Sequence, residues 1–412
     1  METEKLNGYL KEDHRAHILE ARERLAPVLK NTSLIYSDFF SSEYGCDVYI
    51  KPENLQTTGS FKIRGAYNKI CSLTEEEKAH GVICSSAGNH AQGVAYSAQK
   101  KGIKAVIVMP SITPLVKVEA TRAYGAEVVL HGDVYDDAYG KAVRLSEEKG
   151  YTFVHPFDDY QVLCGQGTIG LEILDELSDV DEILVPVGGG GLLSGIAAGV
   201  KAANPRVKVV GVEPIGAMSM KVSLDEGQIA RLSEVKTIAE GVAVRQVGEL
   251  TFALCKEYVD EMVTVSEKDI MESVLMLLDK HKLIAEAAGV VTLAALKKRA
   301  KPGKKIVCLI SGGNIDVVTI SSIINQGLIT RGRIMCFTVD LPDKPGQLLK
   351  VASLLADCGA NVIGLEHNQF KATDRYSNKV QLEVTAETNG QQHINQITEI
   401  LEDNGFLINR VY

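Results

Sequence analysis

Basic charge is in short supply in this 412-residue chain: 44 Lys and Arg residues face 53 Asp and Glu, leaving a formal net charge of −9. A protein that grips nucleic acid or an anionic membrane needs a basic face, so both partner classes are disfavoured and small molecules are expected instead. Long apolar runs are missing too. No stretch of about 18 apolar residues offers a membrane span and no N-terminal apolar segment reads as a secretory leader, so a cytoplasmic home is expected. The eight cysteines form no Cys-x-x-Cys pair, and several sit inside apolar runs such as Ile306 to Ile310. They read as reduced core residues, which excludes a disulfide frame and cysteine zinc sites. Short-period repeats and low-complexity tracts are also absent. What is present is an ordinary globular composition, 45% hydrophobic and 24% charged, in a chain long enough for two or three domains.

From residue 81 onward short apolar runs alternate with helical patterns. Gly81 to Cys84, a stripe at Ala91, Val94, Ala95 and Ala98, and Ala105 to Met109 make a βαβ unit. The alternation continues through Glu127 to Leu130, Thr152 to Val154, Ile183 to Val187, Val207 to Val212 and Ile306 to Ile310. Strands so uniformly apolar are expected to be buried on both faces, as in parallel sheets. Ser266-x-x-Asp269 reads as a capping box. The stretch from Asn325 to Arg333 shows little periodicity and marks a domain boundary. Beyond it the order strand, helix, strand, strand, helix, strand predicts a ferredoxin-like βαββαβ module.

One lysine stands in an apolar frame: Ser60-Phe61-Lys62-Ile63-Arg64-Gly65-Ala66-Tyr67. Ile63, Ala66, Tyr67 and Ile70 fall on one helical stripe, with Ser60 able to cap the first turn, so Lys62 is placed at a helix N-terminus. Burial and the positive end of the helix dipole both disfavour an ammonium and leave a nucleophilic amine, as a Schiff base on pyridoxal phosphate requires. A lysine stem merely laid over the core is the alternative. Pro186 to Gly195, with Gly188, Gly189, Gly190 and Gly191 in a row, follows an apolar strand and opens a helix, so bare amides can converge on a phosphate. A plain tight turn would also use these glycines. The dinucleotide fingerprint is broken, since Leu193 stands where Gly188-x-Gly190 would need its third glycine. Ser86, Ala87, Gly88, Asn89 and His90 lie between a strand and a helix, able to grip a carboxylate or phenolic oxygen, or else to form an ordinary capped loop. Ser311, at the end of the last such strand, could meet a ring nitrogen or cap a helix. A hydroxyl there would leave the ring a weaker electron sink than a carboxylate would, favouring loss of a β-substituent over transamination.

The segments Glu53-Asn54-Leu55-Gln56-x-x-Gly59-Ser60-Phe61-Lys62-Ile63-Arg64-Gly65-Ala66, Ser85 to His90, Gly188 to Leu192 and Ser311-Gly312-Gly313-Asn314 resemble fold type II pyridoxal-phosphate enzymes. Among these they are most similar to the threonine ammonia-lyase (threonine dehydratase) family, over about residues 5 to 325. The resemblance implies an α/β, tryptophan synthase beta-like fold with two lobes of parallel sheet. The catalytic domain would span 1–327, with a small mobile lobe at about 55–158 inserted in a large one, followed by a linker at 328–332. It further implies that Lys62 forms the internal aldimine and removes the α-proton, that Phe61 packs by the ring, and that Asn89 meets its 3-hydroxyl. Gly188 to Leu192 would bind the phosphate, Ser311 the pyridine nitrogen, and Ser86, Ala87, Gly88, Asn89 and His90 the substrate carboxylate. Gly241 and Glu286 would line the far side of the cofactor. Serine racemases share these motifs, but Ala87 stands where they place a second serine, so elimination should dominate. Glu213 and Ala217 match the racemase metal cluster whereas Ser219 replaces an aspartate, so no metal site is expected.

Residues 333–412 resemble an ACT domain, whose ligand-loop motif is matched by Asp343, Lys344, Pro345, Gly346, Gln347 and Leu348. This implies regulation by an amino-acid effector, or a dimerisation module that senses nothing. A homo-oligomer, dimer or tetramer, is expected from strand edges such as Val362 to Leu365. The resulting expectation is deamination of L-threonine to 2-oxobutanoate and ammonia, with L-serine a poorer substrate. The alternatives are a serine dehydratase or racemase of the same fold, and an amino-acid-sensing protein without turnover. A β-replacement enzyme would need a second nucleophile site that the sequence does not offer.

Overall fold

The computed structural model describes residue 6 and residues 8–368 and 379–412, so residues 369–378 of the expected second domain lie outside the described residues. The chain divides into two compact units, Met1–Ile315 and Asp316–Tyr412.

The first unit holds the strands β1 (Ile35–Tyr36), β2 (Asp47–Pro52), β3 (Val82–Ser85), β4 (Ala105–Met109), β5 (Glu127–Leu130), β6 (Thr152–Phe153), β7 (Glu182–Pro186), β8 (Lys208–Pro214), β9 (Glu261–Val265) and β10 (Lys305–Ile310). They form two sheets, ordered β1-β2-β10-β7-β8-β9 and β5-β4-β3-β6. Every pairing is parallel except β1 with β2. The chain therefore leaves the larger sheet after β2, builds the smaller one, and returns at β7. Apolar runs make strands buried on both faces, as in β4 and β7, because helices cover each side. β5 departs from that expectation. It is the outermost strand of its sheet, and Glu127 and Leu130 are exposed.

The helix Lys62–Cys71 buries Ile63, Ala66, Tyr67 and Ile70, the stripe expected from their spacing. It lies directly against the helix Tyr160–Glu176. A Cβ on Gly165 would come within 2.5 Å of the Arg64 carbonyl oxygen and one on Gly65 within 2.7 Å of the Val162 carbonyl, so only glycine allows this approach. Ser60 does not cap the helix. Phe61 occupies the cap position without a side-chain bond, and Ser60 is drawn instead into an antiparallel bridge with Gly312, its buried hydroxyl without a hydrogen-bond partner.

In the second unit a helix Val317–Thr330 precedes β11 (Ile334–Pro342), the helix Gln347–Asp357, β12 (Asn361–Asn368), β13 (Lys379–Glu387), the helix Gln391–Asp403 and β14 (Ile408–Arg410). The strands form one antiparallel sheet in the order β12-β13-β11-β14. Val351, Leu355, Ile394, Ile397 and Leu401 of the helices share a core with Phe337, Leu341 and Leu382 of the strands. The expected linker at 328–332 is helical up to Thr330, and the units divide earlier, after Ile315. Gly327 is buried within that helix, so the glycine that looked like a break continues it.

Candidate active site

Four connections leave the carboxyl ends of parallel strands, where such sheets present their ligand sites. The segment after β2 meets the one after β10: Phe61 N–H donates to the Ser311 carbonyl at 3.1 Å, and Gly313 N–H to the Gly59 carbonyl at 2.8 Å. These backbone bonds set Lys62, the first residue of its helix, beside Ser311, which is 4% exposed.

Lys62 is half-buried, and its Nζ donates to the Pro156 carbonyl at 2.8 Å. Protein atoms enclose the amine on its other sides. Burial therefore lowers its pKa to about 8, against the opposing pull of the Glu286 carboxylate and Cys84. The amine also stands 5.2 Å from the centre of the Phe61 ring.

Asn89 begins the helix Asn89–Lys101, with Gly88 at its cap position. Its Nδ2 donates to Glu286 at 2.6 Å, and its Oδ1 accepts from Asn314 Nδ2 at 2.8 Å. One hydrogen on Nδ2 remains to be offered elsewhere. Asn314 also donates to the Thr58 carbonyl at 2.8 Å, so Thr58, Asn314, Asn89 and Glu286 form one chain across the site. Burial raises Glu286 to about 7, while the Asn89 bond and Lys117 oppose it. Gly241 lies near, a Cβ there being 3.5 Å from Glu286 Oε1.

Ser86 accepts from Gly88 N–H at 3.2 Å, closing the turn that also holds Ala87. The first amides of the following helix point toward this turn. The His90 ring is committed elsewhere: Nε2 meets the Val154 carbonyl at 2.9 Å, and burial drives its pKa to about 3. What His90 can offer a carboxylate is its backbone amide, not a proton on its ring.

The glycine run leads from β7 into the helix Gly191–Ala203, with Gly190 at φ +96°. Gly188 faces Val242, and Leu192 buries its side chain in the core of the larger sheet. A Cβ on Gly189 would lie 2.3 Å from the Phe157 ring, so close approach, besides the turn, requires glycine here. Phe157, His155, the Pro156 carbonyl and Asn314 are site components that motif reading left without a role. Their signal was available: Val154 to Asp158 follows β6, another parallel strand end.

Both Glu213 carboxylate oxygens accept backbone amides, from Met220 at 2.8 Å and Lys221 at 2.9 Å, and Ser219 is fully buried. Among the described residues no group of three or more His, Cys, Asp or Glu could hold a metal ion. In the second unit Asp343 to Gly346 are exposed between β11 and the helix Gln347–Asp357, which Gly346 caps at φ +89°.

The family model described as pyridoxal-phosphate dependent enzyme matches residues 25–312. The chain is 48% identical over 390 residues to an L-threonine ammonia-lyase of Thermotoga maritima, covering 94% of this chain and 97% of that protein. Among solved structures, the processed form of threonine deaminase isoform 2 from Solanum lycopersicum superimposes with a TM-score of 0.74 at 40% identity, over 80% of this chain and 90% of that one. A maize serine racemase gives 0.72 at 34% identity, over 77% and 98%.

Proposed function

The chain belongs to the pyridoxal-phosphate-dependent enzyme family, and from that premise we propose that it deaminates L-threonine to 2-oxobutanoate and ammonia, and L-serine to pyruvate more weakly. The observation that carries this reading is the Lys62 amine, enclosed, lowered to about 8, and bonded to a carbonyl instead of a carboxylate.

The residues fit the cofactor. The glycine run sits at the positive end of a 13-residue helix and suits a phosphate. Ser311 offers a hydroxyl suited to a ring nitrogen, and the free Nδ2 hydrogen of Asn89 suits a phenolic oxygen. Gly241 and Glu286 bound the far side. When bound, pyridoxal phosphate supplies an aldehyde that captures an amino group and a ring that draws electrons from the α-carbon.

The protein's own groups do the rest. Lys62 needs little free energy to be neutral near physiological pH, so it can take the α-proton of the substrate at Nζ. Backbone amides from Ser86 to His90 hold the carboxylate and fix which α-bond faces Lys62. Ala87 carries no hydroxyl to return a proton from the opposite face, which favours loss of the β-hydroxyl over racemisation. That absence weighs against the serine racemase reading, despite the likeness to the maize enzyme.

The second unit is read as an ACT-type regulatory domain. Its βαββαβ order and antiparallel sheet support a ferredoxin-like module, and the Asp343 to Leu348 loop at a helix start suits an amino-acid effector. β12 is an outer strand with Ile363 50% and Leu365 48% exposed, which supports pairing between copies in a homo-oligomer.

The test is release of oxoacid from threonine and serine, with and without isoleucine or valine, followed by borohydride reduction and peptide mapping. Threonine should be the better substrate and the tag should lie on Lys62. Racemised serine without oxoacid would favour the racemase, and a coloured protein that yields neither product would favour the sensing reading.

A further inference from the structure

The turn His155-Pro156-Phe157-Asp158, leaving β6, touches two parts of the proposed site, the Lys62 amine and the glycine run. The Pro156 carbonyl accepts from Lys62 Nζ at 2.8 Å. The Phe157 ring lies over Gly189, and a Cβ on Gly191 would come 2.8 Å from the Phe157 carbonyl oxygen. The Asp158 carboxylate accepts the amides of Glu249, Leu250 and Thr251 at 3.1, 3.0 and 3.2 Å, and the Thr251 hydroxyl donates to the Gly189 carbonyl at 2.7 Å.

One side chain holds this turn from within. His155 Nδ1 accepts the Asp158 amide at 2.8 Å and, at a longer 3.3 Å, that of Phe157. An imidazole nitrogen accepts only when it carries no proton, so Nδ1 must be bare. We propose that His155 is a positioning residue for Lys62: its bare Nδ1 fixes the turn that sets the Pro156 carbonyl against the amine and the Phe157 ring against the glycine run. The proposal rests on the reading of Lys62 as the residue that carries the cofactor.

The surroundings agree with a bare nitrogen. Phe157 meets the imidazole edge-on at 4.7 Å, and Tyr139 and Phe153 stand at 6.5 and 6.2 Å, so its neighbours are mostly rings. Burial lowers its pKa and the Lys62 charge adds to that, while Asp158 and Asp159 oppose. In acid, a proton on Nδ1 would face two amide hydrogens, and the turn would be released.

Three substitutions separate positioning from bulk. In His155→Asn the amide oxygen stands as many bonds from the backbone as Nδ1 does; in His155→Gln it is moved out by one; in His155→Leu it is gone. Each apoprotein is titrated with pyridoxal phosphate and followed by the absorbance of the bound cofactor across pH. The Leu variant should bind about tenfold more weakly, the worth of one good hydrogen bond, and the Asn variant within about threefold of wild type. The acid-side loss of absorbance should move to lower pH in the Asn variant, since an amide does not titrate there. If the Leu variant does not fold, the Gln variant should show its weakened binding. Equal affinity and an unchanged pH profile in all folded variants would overturn the proposal, as would Asn and Leu variants impaired alike. A wild type with no bound-cofactor absorbance would overturn the Lys62 reading and this proposal with it; a coloured wild type with an indifferent Leu variant would overturn this proposal alone.

Discussion

Lys62 and Arg64 stand on one helix, two residues apart, and their surroundings use a buried cation in opposite ways. Arg64 is 0% exposed, and its guanidinium is fully matched. Glu53 binds Nε and Nη2, both at 2.8 Å, Glu172 binds Nη1 and Nη2 at 2.6 and 2.9 Å, and Thr168 adds a contact at 3.0 Å. Burial works against that charge, but Glu53 and Glu172 outweigh it and raise its pKa. Lys62 has one carbonyl and no carboxylate in hydrogen-bond contact, so burial wins. Burial alone therefore does not make an amine reactive. Withholding the partner does, and the neighbouring pair anchors the helix while the amine is left uncompensated.

Removing the amine should produce the largest effect and should separate function from stability. Lys62→Met is expected to lower threonine turnover by about 10⁴-fold or more, since both proton transfer and cofactor attachment are lost. The same change should stabilise the apoprotein. With a folded pKa of about 8 against an ordinary 10.5, Lys62 contributes stability that is present above the ordinary value and lost as pH falls through 8. At pH 7 the substitution should therefore raise stability, by about 1 kcal/mol. Urea unfolding of both apoproteins checks this, and a less stable Met variant would contradict an uncompensated amine.

Arg64→Met should do the reverse. It leaves the fully buried Glu53 without its cation, while Glu172 keeps only Lys51 at 2.8 Å, and stranding such a buried charge costs about 3–5 kcal/mol in unfolding experiments. Lysine in its place should recover only part, because one ammonium cannot span two bidentate partners. If Arg64→Met were as stable as wild type, the contrast between the two cations would have no energetic content.

Much of this contrast was written locally in the chain. The apolar stripe after Lys62, the glycine run after β7 and the serine after β10 depend on near neighbours, and parallel strands of uniform apolar character point to their own carboxyl ends. What could not be read is what lies far along the chain. The Lys62 partner, Pro156, is 94 residues away, and Glu172 is 108 residues from Arg64. Ser60 was misjudged for the same reason: local spacing made it a cap, while a bridge to Gly312 took it elsewhere. The break expected near Asn325 failed because Ile323 and Gly327 are both buried in a continuing helix, where packing overrides the glycine penalty. The βαβ alternation of residues 82–153 was legible, but that these strands make a sheet of their own was implied only by the family resemblance, and the exposure of β5, which depends on its being an edge, was not legible at all.

The finest test of the contrast is Glu286→Gln. Glu286 is the first of the groups that raise the Lys62 pKa against burial, and it is itself raised to about 7 by burial. Above pH 7 it is a carboxylate that favours the ammonium; below, it is neutral and does not. Glutamine keeps the acceptor for Asn89 Nδ2 but never the charge. The pH midpoint for modification of Lys62 in the apoprotein by an amine-selective reagent should then fall below about 8 by something under one pH unit, roughly 1 kcal/mol or less of lost attraction. The stability profile should change in step. A carboxyl whose folded pKa is raised from 4.5 to about 7 contributes stability present below 4.5 and lost as pH rises through 7, so Glu286→Gln should flatten that loss. An unchanged midpoint would mean that Glu286 stays protonated beside the amine, and that Lys62 is set by enclosure alone.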